Sequence, residues 1–247
     1  MSKRTALFVT CLVDEFYPEV GEASLVCLDR VGCRPAFPEA QTCCGQPAFN
    51  MGYYEEARRL ARRFIEIFEP YDAIVAPSGS CTSMVRVFYP ELFESEPEWK
   101  TRAESLASRV FELTEFLVKE GFRSLGARGS KSPTTVTYHD SCHLLRELGV
   151  HTQPRRLLQG VDGLELVELE GANVCCGFGG AFSVKMPELS EAILNDKLGA
   201  LEASGADVLT ATDTGCLMHL DGALKRRKSR LRAVHVARVL AGEAPFK

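Results

Sequence analysis

No stretch of the chain approaches the roughly 18 consecutive apolar residues that a membrane-spanning helix needs. The apolar start from Ala6 to Val13 is cut short by Asp14-Glu15. Basic charge is also scarce. Lys and Arg number 29 against 33 Asp and Glu, a net charge of -4, which argues against nucleic-acid binding because that function usually shows a basic excess. The local exception, Lys225-Arg226-Arg227-Lys228-Ser229-Arg230-Leu231-Arg232, reads as a solvated surface run, with a docking patch for an acidic partner as the alternative. Phosphate-binding loops, serine elbows and zinc-protease helices are missing. Gly177-Phe178-Gly179-Gly180 is glycine-rich, but it follows a Cys-Cys pair and lacks the strand, helix and distant acid of a dinucleotide fingerprint. These absences exclude a self-sufficient hydride-transfer enzyme.

What is abundant is cysteine. Eight of the ten form two matching sets, each a lone Cys, an adjacent Cys-Cys-Gly and a second lone Cys: Cys11, Cys43, Cys44 and Cys81, then Cys142, Cys175, Cys176 and Cys216. Corresponding cysteines lie 131, 132 and 135 positions apart, which implies a duplicated domain with short loop insertions rather than a solenoid. With no membrane span the chain reads as cytoplasmic, where thiols stay reduced and a cysteine pattern signals metal or catalysis rather than disulfides.

Hydropathy repeats in the same order in both halves. Strands are predicted at Thr5 to Val9, Pro35 to Phe37 and Asp72 to Ala76, and again at Thr134 to Tyr138, Leu164 to Leu169 and Asp207 to Ala211. Helices are predicted from Pro18 to Val31, with Gly32 as the stop, from Tyr53 to Phe68, and from Pro187 to Ser204, ended by Gly205. The stretch Arg109 to Leu117 resembles Ala233 to Leu240. The expected fold is α/β, two tandem units of parallel strands flanked by helices, spanning 1–125 and 133–247 with a linker from Gly126 to Pro133. All eight patterned cysteines are expected in loops at strand ends, where such units collect ligands.

Four thiolates per site is the common number for an iron–sulfur cluster. Adjacent side chains diverge, so a Cys-Cys pair suits the separate metal atoms of a cluster better than one tetrahedral ion. Gly45 and Gly177 suit a tight turn after each pair. Buried structural thiols are the competing reading for the eight. Zinc held for a purely structural role is a further alternative, against which count the adjacency and the lack of close Cys-x-x-Cys pairs. Cys27 and Cys33, outside the pattern, read as core. His139 and His143 flank Cys142, and His219 follows Cys216, as hydrogen-bonding neighbours with direct ligation as the alternative. Arg146 reads as a surface residue, its alternative being a partner for a substrate carboxylate.

Five stretches are distinctive: Phe8 to Asp14, Thr42-Cys43-Cys44-Gly45-Gln46-Pro47-Ala48, Pro77-Ser78-Gly79-Ser80-Cys81, Cys175 to Ser183 and Gly215-Cys216-Leu217-Met218. They resemble the cysteine-rich CCG-domain proteins, among them the CCG-bearing component of heterodisulfide reductase, the iron–sulfur component of glycolate oxidase and, most nearly, the bacterial lactate utilization A family. The resemblance implies a cytoplasmic iron–sulfur electron-transfer component, up to two [4Fe-4S] clusters per chain, in a system oxidising L-lactate to pyruvate. Lactate utilization proteins B and C are the implied partners. Each cysteine set would hold one centre. The fullest form of the motif ends in Cys-x-x-Cys, whereas Ser78 and Asp213 stand at the earlier position here. Zinc in one half, or a serine or aspartate oxygen as a ligand, therefore stays open.

Overall fold

The computed structural model describes residues 3–123 and 133–243. The predicted linker lies outside them except for Pro133. Among the described residues seven strands form two parallel sheets. The first is β1 (Thr5–Leu7), β2 (Ala73–Ala76) and β3 (Val110–Glu112), in the order β1-β2-β3. The second is β4 (Thr134–Tyr138), β5 (Leu164–Val167), β6 (Val208–Ala211) and β7 (Arg232–His235), in the order β5-β4-β6-β7.

The sheets are one design used twice. The expected strand at 35–37 reduces to a single parallel bridge, Ala6 to Ala36, closed by Leu7 N donating to Ala36 O at 2.9 Å and Ala36 N to Thr5 O at 2.8 Å. It occupies beside β1 the place that β5 holds beside β4. The prolines at 35 and 38 flank this bridge and withhold the amide donors that a longer ladder needs.

Strand alternation explains the continuous apolar runs. Leu7, Ala73 and Val75 face a central core, while Ala6, Phe8, Ile74 and Ala76 face an outer one, so both faces are covered. The outer core holds Phe8 edge-on to Phe64, with centroids 4.8 Å apart, and Phe64 against Phe68 at 4.4 Å. In the helix Tyr54–Phe68 the residues Ala57, Ala61, Phe64, Ile65 and Phe68 are buried, the stripe that its spacing predicts. Helices Pro18–Arg30 and Pro187–Ala203 end within two residues of their forecast. Gly32 and Gly205 follow them at φ +73° and +65°.

The central core belongs to both halves. It joins Val20, Ala23, Leu28 and Leu117 to Tyr138, Leu157, Val236 and Leu240. Arg30 closes the seam by donating to the carbonyls of Leu240 at 2.7 Å and Ala241 at 2.6 Å, where it also complements the negative end of the helix Val236–Ala241. Cys27 is buried in this core, its thiol 3.6 Å from Ala237 O, and Cys33 packs at its edge. No helix among the described residues is long and apolar enough to cross a membrane.

Candidate metal centres

Both cysteine sets open on one cavity of about 220 Å³ at the carboxyl ends of the two sheets. The placement corrects one expectation: only Cys43, Cys44, Cys175 and Cys176 lie in loops. Cys11 and Cys142 are the first residues of the helices Cys11–Phe16 and Cys142–Arg146. Cys81 and Cys216 sit in the first turns of Gly79–Ser83 and Thr214–Arg226. A helix start places unpaired amides beside a thiolate, which a loop does not do as reliably. The residues between strand and cysteine are polar or small, so the apolar periodicity that reveals longer helices is absent there.

The Cys-Cys loops match closely. Gly45 and Gly177 adopt φ +86° and +88°, and their amides donate to Cys43 Sγ at 3.4 Å and Cys175 Sγ at 3.3 Å. A Cβ at Gly177 would meet Ser190 O at 2.6 Å, so only glycine fits there. In the first set the thiols run Cys11 to Cys43 at 3.8 Å, then Cys43 to Cys44 and Cys44 to Cys81. In the second they run Cys142 to Cys175 to Cys176, with Cys176 donating to Cys216 Sγ at 3.1 Å.

This crowding forces unequal protonation. Hydrogen bonds from Cys11 and Cys44 hold Cys43 far below the usual thiol range, and Cys11 and Cys44 are pushed up by those same bonds and by burial. Cys175 is lowered in the same way by Cys142 and Cys176, both of which rise. Further ionisation would crowd thiolates in a medium that screens them poorly. A bound cationic centre relieves that repulsion. The donor chemistry of each set fits such a group, since thiolates select soft centres, iron–sulfur or zinc.

The positions of the missing sulfurs are occupied otherwise. Ser78 Oγ, Ser80 Oγ and Ser80 N donate to Asp213 Oδ1 at 2.9, 2.6 and 3.0 Å, and Ser141 Oγ donates to Oδ2. Asp213 and Ser78 therefore tie the halves together, and both also line the cavity. His235 adds to this seam. Its Nδ1 accepts from Ala237 N, so Nε2 carries the proton and faces Thr212 O at 2.8 Å and Pro77 O at 3.2 Å.

Of the other histidines, His139 is buried beside the second set: one ring nitrogen and the sulfurs of Cys176 and Cys216 all lie within 4.8 Å of one another. Burial holds its pKa down to about 3, so it is neutral. His143 lines the cavity, edge-on to Phe88. His219 is half-buried, its Nε2 3.4 Å from Ser190 Oγ. Arg146 is exposed and outside the cavity lining. The basic run is surface, with Lys225 paired to Asp221 at 2.6 Å and Arg227 to Glu202 at 3.3 Å.

Sequence reasoning missed three features. Lys197 is buried behind the second set and donates to Gly171 O at 2.7 Å and Ala172 O at 3.0 Å; burial lowers it to about 8. Its signal was available, for it stands on the apolar face of its helix, 21 residues after Cys176, as Ile65 stands 21 after Cys44. Arg155 clamps the buried Asp140 through two bonds at 2.8 and 2.9 Å, a long-range pair without a local pattern. Tyr89, after a π-helical turn at Met84–Phe88, donates to Cys44 O at 2.7 Å. Such turns occur often at functional sites.

The comparisons agree with this geometry. A family described as "Cysteine-rich domain" (CCG) matches residues 5–86 and 136–221. "Lactate utilization protein A" of Geobacillus kaustophilus (strain HTA426) is 47% identical over 237 residues, 96% of this chain and 98% of that protein. The protein of the same name from Bacillus subtilis (strain 168) is 46% identical over 238 residues, 96% of this chain and 98% of that one. A crystal structure of a hypothetical protein from Helicobacter pylori superposes with a TM-score of 0.63 at 12% identity, which speaks to the fold alone; the chain is 99% covered and spans 50% of that protein. With both repeats matched and near-half identity along almost the full length, the chain belongs to the lactate utilization protein A family of cysteine-rich CCG-domain proteins.

Proposed function

We propose that this chain is the cytoplasmic electron-transfer component of a complex oxidising L-lactate to pyruvate, with partners of the lactate utilization B and C types. The observation that carries the proposal is the opening of two cysteine quartets on one cavity, in a chain of this family. Cys11, Cys43, Cys44 and Cys81 hold one centre in the module 1–125; Cys142, Cys175, Cys176 and Cys216 hold the other in the module 133–247. When bound, a [4Fe-4S] cluster at each site supplies a one-electron carrier. Lactate oxidation releases two electrons and two protons, so one electron per site balances a single turnover.

The chain's own residues favour relay over substrate binding. Among the described residues neither Lys nor Arg lines the cavity, and a lactate carboxylate among thiolates would meet like charge without a cation to offset it. Besides the sulfurs the lining offers hydroxyls, the amides of Gln46 and Asn50, His143 and the carboxylate of Asp213, together with apolar Leu12, Pro47 and Phe178. Lactate is therefore assigned to a partner protein, and this chain to the path that follows.

Iron, zinc and acid-labile sulfide on anaerobically purified protein, followed by reduction assays, test the reading. Matching iron and sulfide near two clusters, with lactate reducing the chain only when both partners are present, is the expected result. Zinc without sulfide would instead make the chain a structural module. Reduction driven by glycolate or a disulfide but not by lactate would move it to the related oxidoreductases.

A further inference from the structure

The second cysteine set has beside it a donor that the first lacks. His139 lies just past β4, three residues before Cys142, and is 1% exposed. Neither ring nitrogen has a hydrogen-bond partner among the described residues. One of them shares a 4.8 Å sphere with the sulfurs of Cys176 and Cys216, and this is the one such triad among the described residues. A buried polar group left unpaired costs about 1–3 kcal/mol, so an imidazole kept here without a partner needs a reason. In either neutral tautomer one nitrogen offers a lone pair.

The corresponding residue in the first half, three before Cys11, is Phe8. Its ring packs against Phe64 and Phe68 and has no lone pair to give. Asp213, which stands where the fuller motif has its further cysteine, is engaged by Ser78, Ser80 and Ser141. His139 is thus a free donor on the second side, and the one that lies with the sulfurs of both Cys176 and Cys216.

We propose that His139 is a nitrogen ligand of the metal centre in the second half, which then has four sulfurs and one imidazole within reach against four sulfurs in the first. The identity of that metal rests on the iron–sulfur reading; the ligation does not. Where the imidazole takes the iron position of one of the four thiolates, the potential of an iron–sulfur centre rises. The buried Lys197 acts in the same sense, because a nearby cation favours the more negative, reduced state. With a cluster bound in each half, His139 and Lys197 would thus make the second the better electron acceptor of the two, the first giving up the electron that the second takes.

The test uses full-length protein carrying 15N-histidine, purified without oxygen, assayed for iron, zinc and sulfide, reduced and examined by pulsed EPR. The expected result is a nitrogen coupling of directly bonded strength that responds to the label and vanishes in His139→Phe, with the first centre's spectrum unchanged. His139→Cys, which keeps a donor should the Phe variant misfold, retains the second centre and lowers its midpoint potential. Two centres' worth of iron and sulfide with no coupling, or only the weak coupling of a hydrogen-bonded ring, overturns the ligation. If the protein holds zinc and no sulfide, the electron-transfer function fails separately. The ligation is then read from 15N NMR: a His139 resonance that moves on zinc removal upholds it, and one that stays overturns it.

Discussion

The two halves share strand order, cysteine spacing and even the φ of the glycine after each Cys-Cys pair, yet the residues around the sulfurs differ in kind. Around the first set stand Phe8, Ile65 and Val9; at the same places around the second stand His139, Lys197 and Asp140. The backbone of the loop before Cys11 is held by Gln41, which accepts from Val9 N at 2.9 Å and donates to Leu7 O at 3.3 Å. Before Cys142 the work falls to the Arg155–Asp140 clamp. Thr10 at φ 73° is a strained β-branched residue next to Cys11, whereas Ser141 before Cys142 is relaxed at φ -71°. Duplication preserved the scaffold, and divergence converted one apolar surround into a polar one. Two sites on one scaffold thereby differ in electrostatics while keeping the same arrangement of strands and cysteines.

Breaking each half in turn separates them. The largest effect is expected from Cys44→Ser and Cys176→Ser, made singly: each removes a buried central sulfur and with it one centre. Iron and sulfide should fall by about half in either variant and to near zero in the double variant, since each set is a separate four-thiolate site. Equal loss of both centres from one substitution would show that the halves do not load independently.

Next in size is a pair of stability changes of similar magnitude and different origin. Phe8→Ala empties an aromatic site in the first half and should cost about 3–5 kcal/mol in urea unfolding. Arg155→Met removes both guanidinium bonds to the buried carboxylate of Asp140 in the second half, leaving His151 Nδ1 at 3.2 Å beside it, and should cost about 3–5 kcal/mol. Added salt should leave the first loss unchanged. A Met variant as stable as the parent would mean that Asp140 is solvated, contrary to its burial.

A smaller loss is expected at the seam. Asp213→Ala leaves the hydroxyls of Ser78, Ser80 and Ser141 without their shared acceptor, and stability should fall by about 1–3 kcal/mol. Limited proteolysis between the halves should rise in parallel.

The finest contrast is in pH. Glu112 and His235 end β3 and β7 and cap the following helices in the same way. Burial raises Glu112 from 4.5 to about 8, so the folded state holds a proton that the unfolded chain has lost, and stability falls as pH rises across that window. Burial lowers His235 from 6.5 to about 4, so the unfolded chain binds the extra proton, and stability rises with pH across that window. The two caps oppose each other where the windows overlap. Glu112→Gln should abolish the fall and His235→Asn the rise in denaturation curves from pH 4 to 8.5 or so. Parallel curves for either variant and the parent would mean that the cap does not titrate.

Much of this was legible from local pattern. Alternating strands and helices give the α/β class, and the repeat of Cys-Cys-Gly gives a duplicated cysteine-rich domain, because both signals lie within short windows. The strand Thr134–Tyr138 matches its expected bounds, the others are a residue or two shorter, and 35–37 reduces to a bridge between prolines. The cluster-side helices were not legible, since a single turn carrying a cysteine has no period to detect. Nor were the pairings that cross the chain: Arg155 to Asp140, Asp213 to Ser78, Arg30 to Leu240. Each depends on where two distant segments meet, and no local window contains that information.

The shared core has one more consequence. Leu7, Val75 and Leu117 from one repeat and Tyr138, Leu157 and Leu240 from the other complete a single apolar interior. Cut at the join, each fragment would present its half of that interior to water and be driven to cover it, most readily with a second fragment of the same shape. The covalent tandem does internally what a symmetric dimer of single repeats would do by association. It also leaves each copy free to change on its own, as a dimer of identical chains is not.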